Sequence, residues 1–543
     1  MCFETQAAPP QTRFDAQAAA QQTCFETQAA PPQTRFDAQA AAQQMHRHLS
    51  SPASLPPVVR FPSAPLDAQS APAAATGGFM PDALTDRGNA KLFARLNAHR
   101  FRYVLGMGWH IWDQYRWKRV GGTEAAVWAA GDMAEGIPEH DPYNRFDDRS
   151  IAAHRRYSAS TSGMKAMLYQ AQAAPALRLD PGLLDGDPYA LCTPAGTVDL
   201  RSGELRAPDP LTDMHSRATS VAPQKTPTPR WHRFLHDTFG DDERGLETIR
   251  FLHLLLGYSI TGDVGAQVLP FLYGLGANGK SVLLEVLTSL LGDYANAAPP
   301  GFLMEKGRFS EHSTELTELH GRRIVVCSEL KPNDKFNEAR VKLLTGGDTI
   351  TARRMRQDFF TFTPTHKLWL LGNHRPEVGT GGYAFWRRMR IIPFERQVPN
   401  NRKIDNLAAE LVHDEGPGIL YWLIEGAMQY LATRDPLTGP ATVRVATAAY
   451  QATEDHIGRF LQECCRRGNG QELRVEQKLL YETYGRWCSE EGIRPSTSRA
   501  FASRIRQEIG LASPSGMIKN NVTKLYPGLG LLGAYARTRD QAP

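Results

Sequence analysis

Val268-Leu-Pro-Phe-Leu-Tyr273, Gly274-Leu-Gly-Ala-Asn-Gly279-Lys280-Ser281 and Val282-Leu-Leu-Glu-Val-Leu-Thr-Ser-Leu-Leu291 follow one another without a break. The first piece is a short apolar run of strand type. The second is GxxxxGKS in full: Gly274, Leu275, Gly276, Ala277, Asn278, Gly279, Lys280 and Ser281. The third carries apolar residues at helical spacing and stops at Gly292. Strand, glycine loop and helix in this order predict a phosphate-binding loop. Glycines let backbone N–H groups close around phosphates, and the helix N-terminus adds the positive end of its dipole. Lys280 is expected to reach the β- and γ-phosphates of ATP, and Ser281 to place its hydroxyl on Mg²⁺.

Downstream, Arg323-Ile-Val-Val-Cys-Ser-Glu329 reads as a second buried strand ending in an acid. A nucleotide-hydrolysing P-loop fold needs a carboxylate there, to hold the metal's water shell or to orient the attacking water. Ser328 fills the slot where many such enzymes carry a first acid. Glu329 therefore serves alone, or shares the work with an acid elsewhere. Lys367-Leu-Trp-Leu-Leu-Gly-Asn373 closes a third strand with an amide suited to hydrogen-bonding the nucleophilic water or the γ-phosphate. Next come Trp386-Arg387-Arg388-Met-Arg390 and the strand-like Ile391-Ile-Pro-Phe394. Arg387 or Arg388, so placed, is expected to reach a neighbouring subunit's nucleotide as a finger and spread transition-state charge.

Four elements in this order resemble a superfamily 3 helicase of the AAA+ class. The connecting text is similar to the helicase half of phage and plasmid primase–helicases, a group that includes the poxvirus-type enzymes. That text is Lys342-Leu-Leu-Thr-Gly-Gly-Asp-Thr-Ile-Thr-Ala-Arg353-Arg354, then Phe360-Thr-Phe-Thr-Pro-Thr365, then Asn373-His-Arg-Pro376. The resemblance implies an α/β fold with an AAA+ P-loop core and a homo-hexameric ring. It also implies 3′→5′ movement on single-stranded and forked DNA during phage, prophage or plasmid replication. In the family a hairpin ahead of the sensor Asn lines the central channel. Here Thr349–Arg354 and Phe359–Thr363 alternate as two strands around Met355-Arg356-Gln357-Asp358. Arg356, near the tip, is expected to touch phosphate, with Arg353 or Arg354 supporting it or lining the channel. Such contacts ignore sequence and weaken with salt.

The flanks carry less chemistry. Gly108-Trp-His-Ile-Trp112-Asp-Gln-Tyr-Arg-Trp117 predicts a β-hairpin whose rings enter a core rather than stack on bases. Asp185, Asp187 and Asp199 sit in Asp-Gly, Asp-Pro and similar turn contexts, so they read as turn residues and not as a metal cluster. These segments resemble the α+β accessory domain that precedes the motor in phage primase–helicases. No polymerising-primase carboxylate pattern stands out, so a primase or replication initiator is expected as a separately encoded partner. After the motor, Ile404–Leu431 is helical in pattern, with Ile419, Leu420, Trp422, Leu423, Ala427 and Tyr430 on one apolar face. From Glu476 the pattern suggests a winged-helix domain. One helix is marked by Leu480, Tyr484, Trp487 and Cys488, and another by Phe501, Ile505 and Ile509. Arg499, Arg504 and Arg506 lie off the second stripe, either as a DNA-recognition face or as an ordinary solvated one.

The expected domains are a tail at 1–78, an accessory domain at 79–225, the ATPase at 226–400, a packing helical segment at 401–455 and a winged helix at 456–543. Residues 2–22 recur word for word as 24–44, and the Pro-, Ala- and Ser-rich text continues to about Gly78, which reads as disordered. The seven cysteines include no CxxC pair, which argues for a reducing cytoplasm. No apolar run approaches the ~20 residues of a membrane span. A net charge of +5 permits nucleic-acid binding without requiring it. Two rival readings share the P-loop: an ATP-binding initiator or loader that does not unwind, and a small-molecule kinase, which needs an acceptor pocket and lid arginines instead of a hairpin and a sensor Asn.

Overall fold

Thr85 starts the first described helix, its hydroxyl accepting from Gly88 N at 3.1 Å to cap α1 (Asp86–Asn97). The computed structural model describes residues 79–543 except 306–312, 329, 332–333, 354–358, 380–381, 400, 402, 469–472, 512–517, 520–522 and 537–543. The tail at 1–78, Glu329, Arg354 and Arg356 lie outside the described residues. The described chain is mixed α/β.

After α1 come β1 (Phe101–Val104), β2 (Gly108–Asp113) and β3 (Arg116–Lys118), which form an antiparallel meander; β4 (Arg178–Leu179) pairs in parallel with β1. Helices α2 (Gly122–Glu135), α3 (Asp148–Ser158) and α4 (Thr161–Ala171) complete this part. Alternation along β1 and β2 sends Phe101 and Trp109 into a cluster with Phe93, Met133 and Leu168. Trp117 is fully buried, and its indole N–H donates to Asp213 O at 2.8 Å. The tryptophan hairpin is therefore core, as its sequence predicts.

Next come β5 (Ala190–Thr193), β6 (Gly196–Asp199) and β7 (Leu205–Arg206), an antiparallel sheet. Leu191, Cys192, Val198 and Leu200 join the core that also holds Trp231, Leu255, Tyr294 and Ile324. Asp187 and Asp199 do turn work, whereas buried Asp185 ties its loop to Ser216, remote in sequence. Asp185 accepts from Ser216 N at 2.8 Å, Asp187 from Tyr189 N at 2.9 Å, and Asp199 from Arg201 N at 2.8 Å. Arg323, 2% exposed, donates to the carbonyls of Asp187, Pro188 and Ala190, each at 3.2 Å.

The central sheet follows α5 (Pro229–Phe239) and α6 (Glu243–Ile260). Its strands are β8 (Leu269–Tyr273), β9 (Ala295–Ala297), β10 (Ile324–Cys327), β13 (Lys367–Gly372) and β14 (Met389–Pro393), all parallel, in the order β14-β8-β13-β10-β9. Strands covered on both faces read as near-continuous apolar runs, and IVVC of β10 is buried at every position. Helix α7 (Lys280–Leu291) packs on one face. Between β9 and β10 lies α8 (Ser313–Thr317), and between β10 and β13 lie α9 (Glu338–Leu344) and an antiparallel hairpin, β11 (Ile350–Arg353) with β12 (Phe359–Phe362). The short α10 (Tyr383–Trp386) precedes β14.

The long α11 (Leu407–Thr433) crosses α6 at two glycines. A Cβ on Gly257 would strike the Gly426–Ala427 backbone, and one on Gly426 would strike His253 O. Glu415 of α11 accepts from Arg230 N at 2.9 Å and Trp231 N at 2.8 Å, capping α5. Ile419, Leu420, Leu423, Ala427 and Tyr430 are buried as their spacing predicts, and Trp422 is half-buried. Helix α12 (Ala441–Glu454) runs along β14.

A separate core gathers α13 (His456–Cys464), α14 (Gln477–Glu490) and α15 (Ser498–Glu508). With them lie the short strands β15 (Cys465–Arg467), β16 (Arg474–Glu476), β17 (Ile518–Lys519), β18 (Lys524–Pro527) and β19 (Leu529–Leu531). Leu480, Tyr484, Trp487, Cys488, Phe501 and Ile505 are buried. Thr497 caps α15 by accepting from Ala500 N at 3.3 Å. Among the described residues no helix is long and apolar enough to cross a membrane.

Candidate active site

Parallel pairing brings three chain turns to one end of the central sheet. Tyr273 is level with Gly372 on one side and Pro393 on the other, so the glycine loop, Asn373 and Phe394 leave the sheet together. Ligands collect at the carboxyl ends of strands in such sheets.

Gly274 admits no side chain: a Cβ there would collide with Phe394 O and the Asn278 amide. Asn278 is 3% exposed and donates to Phe394 O at 2.7 Å, tying the loop to the neighbouring strand. Ala277 and Gly279 take positive φ, 59° and 86°, and Ala277 O accepts from Val398 N at 2.8 Å. Gly276 has open space where a Cβ would stand, and Leu275 is 69% exposed. The loop is thus clamped at both ends and bare at its crown.

Lys280 opens α7 but points back into the loop. Its ammonium donates to Gly274 O at 2.7 Å, Leu275 O at 3.1 Å and Asn278 Oδ1 at 2.8 Å. Burial holds its pKa below the ordinary lysine value. Ser281 is exposed in the first helical turn. Asn373 is exposed just beyond β13, and Ser328 is half-buried just beyond β10. Among the described residues no group of three or more His, Cys, Asp or Glu could hold a metal.

Arg387 and Arg388 differ. Arg387 is exposed and donates to Gln267 Oε1. Arg388 is 6% exposed, and its guanidinium donates to Thr345 Oγ1 at 2.9 Å, Gln267 Oε1 at 3.1 Å and Ala384 O. On the hairpin, Arg353 is exposed at the end of β11.

Sequence reasoning passed over Arg375. Its guanidinium lies 4.2 Å from the Tyr273 ring centre and 5.6 Å from that of Tyr450, and its Nε is buried without a partner. With Arg244, Leu275, Glu395 and α12 residues such as Val445 it lines a cavity of about 890 Å³ that opens beside Gly274. The only sequence signal was its place in Asn373-His-Arg-Pro376.

Comparison with known proteins bears on the same two regions. A family model described as D5 N terminal like matches residues 90–240, and one described as a family of unknown function (DUF5906) matches 272–388. The chain is 28% identical over 254 residues to L207/L206 of Acanthamoeba polyphaga mimivirus, named as a candidate helicase, covering 44% of this chain and 26% of that protein. It is 26% identical over 257 residues to 184R of Invertebrate iridescent virus 6, also named as a candidate helicase, covering 41% and 26%. It is 21% identical over 296 residues to C962R of African swine fever virus, named as a candidate primase, covering 51% and 30%. The matches thus span less than a third of these relatives' own length. A solved structure of the NrS-1 C-terminal region covers 50% of this chain and 58% of its own at 14% identity, with a TM-score of 0.35, too low a likeness to carry the fold. The viral helicase and primase relatives and the D5-type region ahead of the glycine loop support a likeness of this chain to the phage and viral primase–helicases.

Proposed function

We propose that this chain is an ATP-driven DNA helicase of superfamily 3, a ring of AAA+ P-loop subunits that moves 3′→5′ on single-stranded DNA. The observation that carries the reading is Lys280, turned into a glycine loop at the carboxyl end of a central parallel strand with Asn373 leaving the adjacent strand. The strand order with the loop strand second from one edge supports the AAA+ assignment.

The residues present fit a triphosphate. Gly274 leaves no room for a side chain, the crown at Gly276 is open, and the ammonium of Lys280 is held by neutral oxygens alone. A phosphate is a stronger partner for that ammonium than a carbonyl, so Lys280 exchanges loop oxygens for phosphate oxygens as nucleotide enters. The cavity beside Gly274, with Arg375 and the α12 face, suits the nucleoside end. Ser281 and Glu329 would hold Mg²⁺, whose charge would offset the negative charge developing on the phosphates. Asn373 orients water. Arg387, exposed where Arg388 is committed inside its own chain, is the finger for the neighbouring subunit's nucleotide. The β11–β12 hairpin grips DNA through Arg353, Arg354 and Arg356. The small C-terminal core serves as a winged helix at forked DNA, and a primase or initiator is supplied by another chain.

The test is ATP hydrolysis with and without single-stranded DNA, for wild type beside Lys280→Ala. Removing one preorganised cationic donor lowers turnover by about 100-fold or more. DNA-stimulated turnover lost in Lys280→Ala supports the motor, and strand displacement from a forked duplex follows. Turnover indifferent to DNA overturns the helicase reading. Nucleotide binding with negligible turnover turns it to an initiator or loader.

A further inference from the structure

The β11–β12 hairpin carries an aromatic ring where packing gives no reason for one. Its strands pair Ile350 with Phe362, Thr351 with Thr361, Ala352 with Phe360 and Arg353 with Phe359. Strand alternation divides these into two faces. Ile350, Ala352, Phe360 and Phe362 are buried, with Phe360 and Phe362 stacked at 5.8 Å and edge-on to His320. The opposite face presents Thr351, Arg353, Phe359 and Thr361, all exposed.

Phe359 is 60% exposed on that face. Threonine and arginine are ordinary on a solvated strand face, whereas a phenylalanine there leaves apolar surface in water. The Arg353 guanidinium lies 4.8 Å from its ring centre, which orders both side chains without burying the ring. The hydroxyls of Thr351 and Thr361 meet at 3.2 Å on the same face. By sequence, three of the six residues from Arg353 to Asp358 are arginines and one is an acid, so the face belongs to a cationic hairpin. A flat ring beside a fixed guanidinium and paired hydroxyls suits a polyanion that also carries flat rings, because every base has a face to stack and every link a phosphate to pair.

We propose that this face of the hairpin is a base-stacking site for single-stranded nucleic acid, with Phe359 carrying a base and Arg353 the adjoining phosphate. It rests on reading the hairpin as the strand-gripping element and adds what that reading lacks, a contact to bases. Stacking of this kind is tolerant of sequence and less sensitive to salt than phosphate pairing.

The experiment compares two labelled oligonucleotides of equal length and charge, oligo(dT) and an abasic sugar–phosphate strand, binding to the full chain by fluorescence anisotropy. Wild type is expected to hold oligo(dT) about tenfold more tightly than the abasic strand. Phe359→Ala removes that difference while leaving abasic binding unchanged, and Phe359→Trp keeps it, which separates loss of the ring from loss of the fold. Arg353→Gln weakens both strands alike. A wild type that binds the two equally well, or a Phe359→Ala that still prefers bases, overturns the stacking site and leaves the strand-gripping reading standing. A wild type that binds neither strand removes both.

Discussion

Arg387 and Arg388 adjoin in sequence and both donate to Gln267 Oε1, yet Arg387 stays exposed while Arg388 is buried as α10 gives way to β14. Arg387→Ala is expected to leave the thermal midpoint unchanged and to lower ATP turnover roughly 1000-fold, the scale of an arginine finger. Titrating that variant into wild type should reduce turnover more than dilution does, since each finger would serve another subunit. Arg388→Ala should instead lower stability by about 2 kcal/mol in thermal unfolding, because Gln267 and Thr345 lose a buried partner. The arginine pair was legible as a pair and not as two roles, because which member turns inward depends on Gln267 and Thr345, remote in sequence. Arg375 was hidden for a related reason. Its cation stacks on Tyr273 only because β13 lies beside β8, and nothing local to Asn373-His-Arg-Pro376 announces that neighbour. The glycine loop was legible residue by residue, since its φ angles and its lack of room at Gly274 are demands that few other residues meet.

At the scale of elements, parallel strands buried on both faces announce themselves as apolar runs, which is why β8, β10, β13 and β14 were readable to within two residues at their ends. The polar start of β13 was not foreseeable from that rule. His366 and Lys367 are fully buried there, with Lys367 donating to Thr365 O at 3.1 Å and standing 5.0 Å from the Tyr258 ring centre. Burial, with Lys367 beside it, pulls His366 down to about 4. The folded chain then keeps this ring neutral where the unfolded chain takes up a proton. Stability is full above the unfolded value of about 6.5, falls as pH drops from there to about 4, and loses roughly 3 kcal/mol across the window. His366→Leu should flatten that part of the pH dependence in chemical denaturation; an unchanged slope would show that the ring does not titrate so. Where α6 meets α11, the fit is steric. Gly257→Ala should lower the thermal midpoint by an amount equivalent to about 2 kcal/mol, since the new methyl meets backbone that cannot swing aside.

Across the whole described chain, the region ahead of Pro229 and the region that carries the central sheet are joined by shared packing. Leu191, Cys192, Val198 and Leu200 lie in the same core as Trp231, Leu255 and Ile324. Arg323, at the foot of β10, holds the carbonyls of Asp187, Pro188 and Ala190. Arg323→Leu is expected to lower global stability by about 3 kcal/mol in denaturant unfolding, because three inward carbonyls lose their donor at once. This junction was beyond sequence reasoning. The apolar spacing of β5 and β6 says that they bury one face, and only the folded chain says against what.

That shared core governs how the chain can be recombined with others. A segment grafted from Pro229 onward would arrive without Leu191, Cys192, Val198 and Leu200, and would meet water where those side chains belong. The shared interior reaches further up the chain, since Val104, Met107, Trp117, Leu179 and Leu184 lie in one core with Leu269, Phe271 and Phe360. A chimaera cut anywhere between Val104 and Pro229 therefore separates side chains that fill one interior.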